Sequence, residues 1–306
     1  MTGVILERFA RLRLFGKSPL RAYLKMNDSV WERVVSPRMV KLKPVVSYGR
    51  FLHSLVVAHA DRRMYLGTFF FRNRPELALM ARLCKRVADT GRPVRMAVVG
   101  CSNGAEVYSI AQVLRSTHPE LRFLCNALDL SADAVEVGRR GEYPTGFPNL
   151  VQEHIFDRMR PEEMERMFDR DGGILRVKPW LREGIEWRVG DGADPALAAA
   201  LGPQDVVVAN RFLCHLEPEA AEECLRGVVR LVAPGGYLFV SGVDLDVRTR
   251  VALELGLEPV EDSLEELHEG DPSLRASWPA RYYGLEPIDK GRADWKIRYA
   301  SVFQLP

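Results

Sequence analysis

The sequence predicts a doubly wound α/β fold, in which a mainly parallel sheet carries helices on both faces. From Arg95 onward, short apolar runs alternate with segments whose apolar residues recur at helical spacing. Three of these runs end in glycine or aspartate, which are typical of the loops that follow parallel strands. Repeated strand–helix units of this kind favour a parallel sheet covered by helices.

The individual elements follow from apolar runs and from helix-end signals. A first helix is predicted at 75–87, with Pro75 in its first turn and Gly91 beyond its end. Ser131 and Asp133 are standard signals for the start of another helix. The predicted strands are 95–99, 122–128, 185–189, 205–209 and 237–241, and the later helices are 106–115, 131–139 and 218–232, the last closed by Pro234-Gly235-Gly236.

Two segments interrupt the alternation. Residues 141–184 are too long for a simple connection, and they contain a predicted helix at 161–168 and a predicted strand at 174–177. The extended tail, 244–306, is expected to end in a hairpin of 281–285 with 295–303 that completes the sheet. Residues 1–66 are broken by three prolines and predict a small helical N-terminal domain, so that 67–306 form the main domain.

Composition limits the class of protein. Of the 306 residues, 47% are apolar and 27% charged, the balance of an ordinary globular protein. No stretch approaches the 18 or so apolar residues of a membrane helix, and the N-terminus lacks the apolar core of a secretory signal. The five cysteines include no C-x-x-C pair and no zinc spacing. We therefore expect a cytoplasmic protein without membrane insertion or a metal site.

Charge is unevenly distributed along the chain. Residues 1–75 contain 15 Lys and Arg against 4 Asp and Glu, whereas the remainder contains 28 against 37. The basic N-terminal segment either contacts an acidic partner or packs on the acidic body of the same chain. It has no recognisable module of stacking aromatic residues, so nucleic acid is not the expected partner.

Residues at the ends of three predicted strands form a candidate nucleoside site. Gly100–Gly104 follow the first strand, where glycine allows the chain to turn sharply and to contact a ligand. Asp129 ends the second strand, and a carboxylate there can accept both ribose hydroxyl protons. Asp191 and Gly192 follow the third strand, on the side expected for the adenine. The carboxyl ends of these strands are expected to meet in one crevice.

The cofactor is predicted by elimination of phosphate-binding loops. Position 107 is valine where a pyrophosphate fingerprint needs glycine, and no G-x-x-x-x-G-K-[ST] motif is present. A methionine-based cofactor needs only polar groups around its ribose and amino-acid ends, so S-adenosylmethionine fits better. The alternative is a loop that merely turns the chain.

Longer motifs add a family resemblance. Gly100-Cys-Ser-Asn-Gly-Ala-Glu-Val-Tyr-Ser-Ile-Ala111 resembles the G-C-S-T-G-E-E-P-Y-S-I-A motif of CheR, the chemotaxis-receptor glutamate methyltransferases. Thr68-Phe-Phe-Phe-Arg72 is similar to the T-x-F-F-R motif of that family, and Gly141-Glu-Tyr143 to its G-x-Y. Leu231-Val-Ala-Pro-Gly-Gly236 resembles its L-x-P-G-G turn. The likeness covers about residues 65–242 and implies a class I, Rossmann-like methyltransferase fold.

The resemblance also implies roles for single residues. Thr68 and Arg72 would bind the methionine carboxylate and amino group, with help from Glu106. Asn210 and Arg211 would lie against the cofactor beneath the substrate pocket. The full set of expected cofactor residues is Thr68, Arg72, Gly100, Ser102, Gly104, Glu106, Asp129, Asp191, Gly192, Asn210 and Arg211.

Departures from the family pattern leave the acceptor open. His215 replaces the family's tyrosine, Ala105 and Val107 replace a glutamate and the proline, and Asn210-Arg211 reverses an Arg-Asn order. A glutamate carboxylate is already nucleophilic at pH 7 and needs positioning but no base. Histidine can take a proton from an amine, hydroxyl or thiol, so His215 is either a base for a changed acceptor or a structural residue.

The leading functional hypothesis is transfer of a methyl group to a protein glutamate carboxylate, with S-adenosylhomocysteine as the product. His215 and Arg211 are the expected catalytic residues. Two alternatives remain. One is an O-, N- or S-methyltransferase for metabolites or natural products on the same scaffold, and the other is a cofactor-binding protein without catalysis.

Overall fold

The computed structural model describes residues 19–89, 91–146 and 154–306, which divide into two compact units. The first unit contains residues 19–62 together with Pro272–Asp289. The second contains Arg63–Asp271 and Lys290–Pro306. Residues 1–18 of the predicted basic segment lie outside the described residues.

Helices and strands alternate through most of the described chain. The helices are α1 (Pro19–Val34), α2 (Lys43–Ala58), α3 (Arg74–Ala88), α4 (Ala105–Thr117), α5 (Ala132–Arg140), α6 (Pro161–Met167), α7 (Pro195–Leu201), α8 (Pro218–Val229), α9 (Leu245–Glu254), α10 (Leu264–Glu269), α11 (Pro272–Ala276) and α12 (Trp295–Tyr299). The strands are β1 (Val94–Val99), β2 (Phe123–Asp129), β3 (Glu142–Pro144), β4 (Phe168–Asp171), β5 (Ile174–Val177), β6 (Ile185–Val189), β7 (Gln204–Val208), β8 (Val232–Phe239), β9 (Glu258–Pro259) and β10 (Val302–Gln304).

The first unit is small and helical. Trp31 of α1 packs edge-to-face on Trp278, with 5.3 Å between ring centroids. Gly49 of α2 allows Trp278 to approach, since a Cβ there would lie 2.2 Å from the indole ring. Arg50 forms ion pairs with Glu286 at 3.1 Å and with Asp289 at 3.2 Å. The prolines break this segment into helices as expected, while the predicted domain boundary at residue 66 stays a prediction.

A seven-stranded sheet in the order β6-β2-β1-β7-β8-β10-β9 organises the second unit. The five neighbouring strands β6, β2, β1, β7 and β8 are parallel to one another, and β10 is antiparallel to both of its neighbours, β8 and β9. After β1 the chain builds outward through β2 and β6 and then returns to add β7 on the other side of β1. The doubly wound α/β prediction is therefore confirmed, and the reversal creates a crevice between the carboxyl ends of β1 and β7.

The core lies on the central strands and on the aromatic motif before α3. Val98 of β1 pairs with Ala127 and Val208, and all three side chains are completely buried. Phe70 is also completely buried, and its ring stacks on Phe156 with 5.4 Å between ring centroids. These contacts anchor the segment that follows Thr68 against the body of the unit.

The two interrupting segments have different outcomes. The predicted helix and strand at 161–177 are confirmed as α6 and β5, and β5 is the central strand of a separate antiparallel sheet, β3-β5-β4. The predicted hairpin of 281–285 with 295–303 is wrong. Residues 295–299 are helical, and β10 already has β8 on one edge and β9 on the other, so no edge is left for a hairpin partner.

The fifth central strand also begins earlier than predicted. Gln204 pairs with Val232 and Val206 with Tyr237, so the residues between them form a bulge in β8. Gly235 in this bulge has a φ of +73°, which favours glycine. The Pro-Gly-Gly sequence therefore bends a strand here, and α8 ends before it, at Val229.

Within the described ranges, no helix is both long and apolar enough to cross a membrane. The same residues contain no group of three or more His, Cys, Asp or Glu that could hold a metal ion.

Candidate functional site

The loop between β1 and α4 turns sharply at three residues with positive φ. Gly100 has a φ of +71°, Ser102 of +48° and Gly104 of +88°. A Cβ on Gly100 would lie 2.7 Å from the ring of Phe212, and one on Gly104 would lie 2.5 Å from the ring of Trp187. Glycine at these two positions therefore allows both the backbone angle and the close packing of aromatic rings.

Asp129 fixes this loop to the end of β2. The Ser102 N–H donates to Asp129 Oδ2 at 2.8 Å, and the Ser131 N–H donates to Asp129 Oδ1 at 2.9 Å. The Ser102 hydroxyl donates to the carbonyl of Leu66 at 2.7 Å and so ties in the segment before α3. Asp129 is 8% exposed, and the orientation of its carboxylate is set by two backbone donors.

Asn210 joins four elements immediately after β7. Its Nδ2 donates to Glu76 Oε1 of α3 at 2.7 Å and to Glu106 Oε1 of α4 at 2.8 Å. Its Oδ1 accepts a hydrogen bond from the Ser241 hydroxyl at 2.8 Å. Two carboxyl groups thus share one amide, whose orientation the serine fixes.

Arginines surround these carboxyl groups. The Arg72 guanidinium donates from Nη2 to the carbonyl of Gly67 at 3.0 Å, and burial, with the nearby Arg211, lowers the pKa of Arg72 to about 10. Arg211 lies 3.4 Å from Asp271, which also pairs with Arg158 at 3.2 Å. The result is a compact group of cations and anions beside the loop.

Burial dominates the titration of the two acids that share Asn210. It raises the pKa of Glu76 to about 8, with repulsion from Glu106 as the second cause. Burial also raises the pKa of Glu106, although Asn210 and Arg72 act in the opposite direction. At neutral pH Glu76 is therefore mainly protonated.

A cavity of about 610 Å³ opens at the carboxyl ends of the central strands. The structure brings together all but one of the predicted site residues in its wall: Thr68, Arg72, Gly100, Ser102, Glu106, Asp129, Asp191, Gly192, Asn210, Arg211 and His215. The exception is Gly104, which packs against Trp187 and the backbone of Gly138. Its part in the site is to shape the loop.

The third strand end contributes mainly backbone to this wall. The Asp191 carboxylate is exposed and accepts a hydrogen bond from the N–H of Ala193 at 2.9 Å. A Cβ on Gly192 would lie 2.3 Å from Val99 Cγ1, so the chain passes directly against the end of β1. Glycine is required there for close packing.

His215 was predicted from the sequence, whereas Met64, Tyr65 and Glu76 were not. His215 ends a short 3₁₀ turn, Leu213–His215, and its ring centroid lies 6.3 Å from that of Tyr65. Tyr65 and Met64 line the cavity, but they belong to an irregular segment without any periodic pattern. Glu76 gave no signal because an acidic residue in the first turn of a helix is ordinary.

Comparison with known proteins identifies the family. Residues 67–246 match the model described as CheR methyltransferase, SAM binding domain. The chain is 28% identical over 222 residues to the probable biofilm formation methyltransferase WspC of Pseudomonas putida, covering 70% of this chain and 49% of the relative. It is 29% identical over 160 residues to chemotaxis protein methyltransferase 1 of Pseudomonas aeruginosa, covering 50% and 55%. The chain thus spans about half the length of the curated relatives that it matches.

A solved structure with bound SAM is also similar, the magnesium protoporphyrin IX methyltransferase ChlM of Synechocystis PCC 6803. It has 13% sequence identity and a TM-score of 0.36, with 78% of this chain and 85% of that chain covered. At this score the likeness adds nothing to the description of the fold.

The residues present fit S-adenosylmethionine (SAM). The carboxylate of Asp129 at the end of β2 suits ribose hydroxyls, and Arg72 and Glu106 offer opposite charges for an amino-acid end. Glu76 Oε2, behind this wall, is a buried oxygen without a hydrogen-bond partner among the described residues. SAM is the cofactor of the family domain that the chain matches. Because the matched region, residues 67–246, exceeds half of the 306 residues, the chain belongs to the CheR methyltransferase family.

Proposed function

We propose that this chain transfers a methyl group from SAM to the side-chain carboxylate of a glutamate in a protein. The supporting observation is that one cavity is lined both by the polar wall around Asp129 and Asn210 and by the guanidinium-bearing Arg211. The Arg211 guanidinium beside the cofactor wall, which also pairs with Asp271, favours an anionic acceptor.

In this proposal the cofactor residues divide by the part of the ligand they hold. Asp129 accepts hydrogen bonds from the ribose hydroxyls, and Asp191 with Gly192 borders the adenine. Arg72 and Thr68 hold the methionine carboxylate, and Glu106 holds the ammonium group. The geometry of the Asn210 amide supports the last assignment, because it keeps Glu106 at the cavity wall with a 2.8 Å hydrogen bond.

The chain's catalytic task is orientation of the acceptor. When bound, SAM supplies an electrophilic methyl group on a sulfonium. A glutamate side chain has an ordinary pKa of about 4.3 and is ionised at pH 7, so it needs no base. Arg211 would hold this carboxylate, and its backbone is set at a φ of +65° against Gly242, where a Cβ would lie 2.9 Å from Arg211 Cα. A fixed acceptor in a water-poor cavity removes much of the entropic cost of the transfer.

A second candidate function rests on His215. Its side chain lines the same cavity, next to Tyr65, and an imidazole can remove a proton from an amine, hydroxyl or thiol. This favours a small-molecule acceptor that, unlike a carboxylate, must lose a proton. If the chain only binds the cofactor and transfers no methyl group, neither methylated protein nor a methylated small molecule will form.

The proposal extends to the rest of the chain. We assign residues 1–66 to a separate domain, with 67–306 as the methyltransferase domain apart from Pro272–Asp289, which belong to the first unit. The excess of basic residues in 1–75 supports contact with an acidic partner. Five cysteines without a C-x-x-C pair support a cytoplasmic location.

The acceptor class can be measured with methyl-labelled SAM. The chain is incubated with an extract, which is then separated into protein, RNA and small molecules. We expect label in protein, released as methanol by mild base because a methyl ester hydrolyses readily. Label found only among small molecules would replace the glutamate acceptor with the second candidate. Glu163→Gln, which removes a carboxyl group that pairs with Arg74 outside the cavity wall, should label protein as the wild type does.

A further inference from the structure

Glu76 is a buried acid behind the cavity wall that the motifs do not assign. It is 4% exposed and lies in the first turn of α3, where its N–H donates to Asn73 Oδ1 at 3.3 Å. Its Oε1 accepts the hydrogen bond from Asn210, and its Oε2 is buried without a partner among the described residues. A buried carboxyl oxygen without a hydrogen-bond partner lowers the stability of the folded chain, and such a group calls for an explanation.

The shared amide transmits the state of Glu76 to the cavity. Both hydrogens of Asn210 Nδ2 are used, one by Glu76 and one by Glu106, and Oδ1 is used by Ser241. A flip of the amide would turn its oxygen toward two carboxyl groups. Asn210 and Glu106 line the cavity, whereas Glu76 acts only through them.

Charged groups face Glu76 from several elements. The carboxyl groups of Glu106 on α4 and Asp271 after α10 raise its pKa, and Arg72 lowers it. Arg248 of α9 also interacts electrostatically with Glu76, while its own hydrogen bonds go to the carbonyls of Val240 and Arg298. Two carboxyl groups and two guanidinium groups thus face Glu76, and an added cation would favour its ionised form.

We propose that Glu76 is a proton-linked positioning residue: it carries a proton in the free chain and releases it to solvent when a ligand ammonium binds beside Glu106. This inference rests on the proposed placement of the cofactor's amino-acid end. The ionised Glu76 then accepts a stronger hydrogen bond from Asn210, which keeps Glu106 directed at the ammonium group. The same ligand without an ammonium group would cause no release.

Calorimetry of S-adenosylhomocysteine binding, in two buffers of different ionisation enthalpy, counts the protons released. With a Glu76 pKa of about 8, the wild type at pH 7 is expected to release up to about 0.9 proton per ligand. Its affinity should rise by up to about 50-fold between pH 6 and pH 8. Glu76→Gln retains an oxygen that can accept from Asn210 but has no proton to release, so both effects should disappear.

Two controls isolate the ammonium group and the site. Methylthioadenosine lacks the amino-acid end and should bind the wild type without proton release. Glu163→Gln removes a carboxyl group that pairs with Arg74 at 2.6 Å outside the cavity wall, and should behave as the wild type does.

The outcomes separate this inference from the proposed function. Binding of S-adenosylhomocysteine without proton release, or with release that persists in Glu76→Gln, would overturn the role of Glu76 and leave the cofactor site intact. Failure of the wild type to bind the ligand at all would overturn the proposed function and this inference together. Should Glu76→Gln not fold, equal proton release by the two ligands in the wild type would overturn the role of Glu76.

Discussion

Replacing Asp129 with asparagine tests the polar wall of the cavity at its most constrained point. Each carboxylate oxygen of Asp129 accepts one backbone N–H, that of Ser102 at 2.8 Å and that of Ser131 at 2.9 Å. Asparagine has a single acceptor oxygen, so its amide NH₂ must face one of these N–H groups. Asp129→Asn therefore breaks one hydrogen bond and places two donors, the side-chain NH₂ group and a backbone N–H, against each other.

The loss can be worked out for both stability and binding. Leaving one buried N–H unsatisfied costs about 1–3 kcal/mol of unfolding free energy. Loss of the charge-assisted hydrogen bonds to the ribose costs a further 2.7 kcal/mol or so of binding free energy, which is about a 100-fold rise in Kd. Stability and affinity should therefore fall together in this variant.

Urea unfolding without ligand, and calorimetric titration with S-adenosylhomocysteine, measure the two effects separately. Asp171→Asn is the matched control, because that side chain is 66% exposed on β4 and does not line the cavity. A folded Asp129→Asn chain whose Kd stays within about twofold of the wild-type value would refute the ribose assignment.

Three further changes have distinct expected results. The Glu76 pKa rises from 4.5 to about 8 on folding, so its stabilising contribution is complete below pH 4.5 and is lost as pH rises to 8. Between pH 6 and pH 8 the free energy of unfolding of the wild type, measured in urea, should fall by about 2 kcal/mol, whereas Glu76→Gln should not show this fall. Equal pH dependence of the two chains would contradict this. Gly104 has a φ of +88°, and a Cβ there would lie 2.5 Å from Trp187, so Gly104→Ala should lower the free energy of unfolding by about 2–3 kcal/mol. Gly172 has a φ of +57° but faces open space, so Gly172→Ala should lower it by about 1 kcal/mol. Equal losses would contradict the packing role of Gly104. His215→Gln should lower methyl transfer to protein by less than about tenfold, whereas a loss of 100-fold or more would indicate a catalytic base.

The central sheet and most of the cavity wall were predictable because they depend on strong, local signals. Val206, Val207 and Val208 form an uninterrupted apolar run, and all three are completely buried. Gly100 and Asp129 follow neighbouring strands, and parallel strands present their carboxyl ends at one edge. Sequence order and hydrophobicity therefore place these residues together.

Other features depend on tertiary contacts that sequence patterns do not encode. The hairpin prediction failed because β10 pairs with two strands that are distant in sequence, and the aromatic residues of 295–299 belong to a helix. Gly104 has the spacing of a ligand-binding glycine, but the Trp187 ring determines its environment. Glu76 looks like an ordinary first-turn acid until β7 brings Asn210 to within 2.7 Å.

The most direct test of the cofactor site is an experimental structure of the chain with S-adenosylhomocysteine bound. We predict ligand density inside the cavity, with the ribose at Asp129, the adenine beside Asp191, and the amino-acid end between Arg72 and Glu106. Density for the ligand elsewhere on the chain, with this cavity empty, would contradict the account.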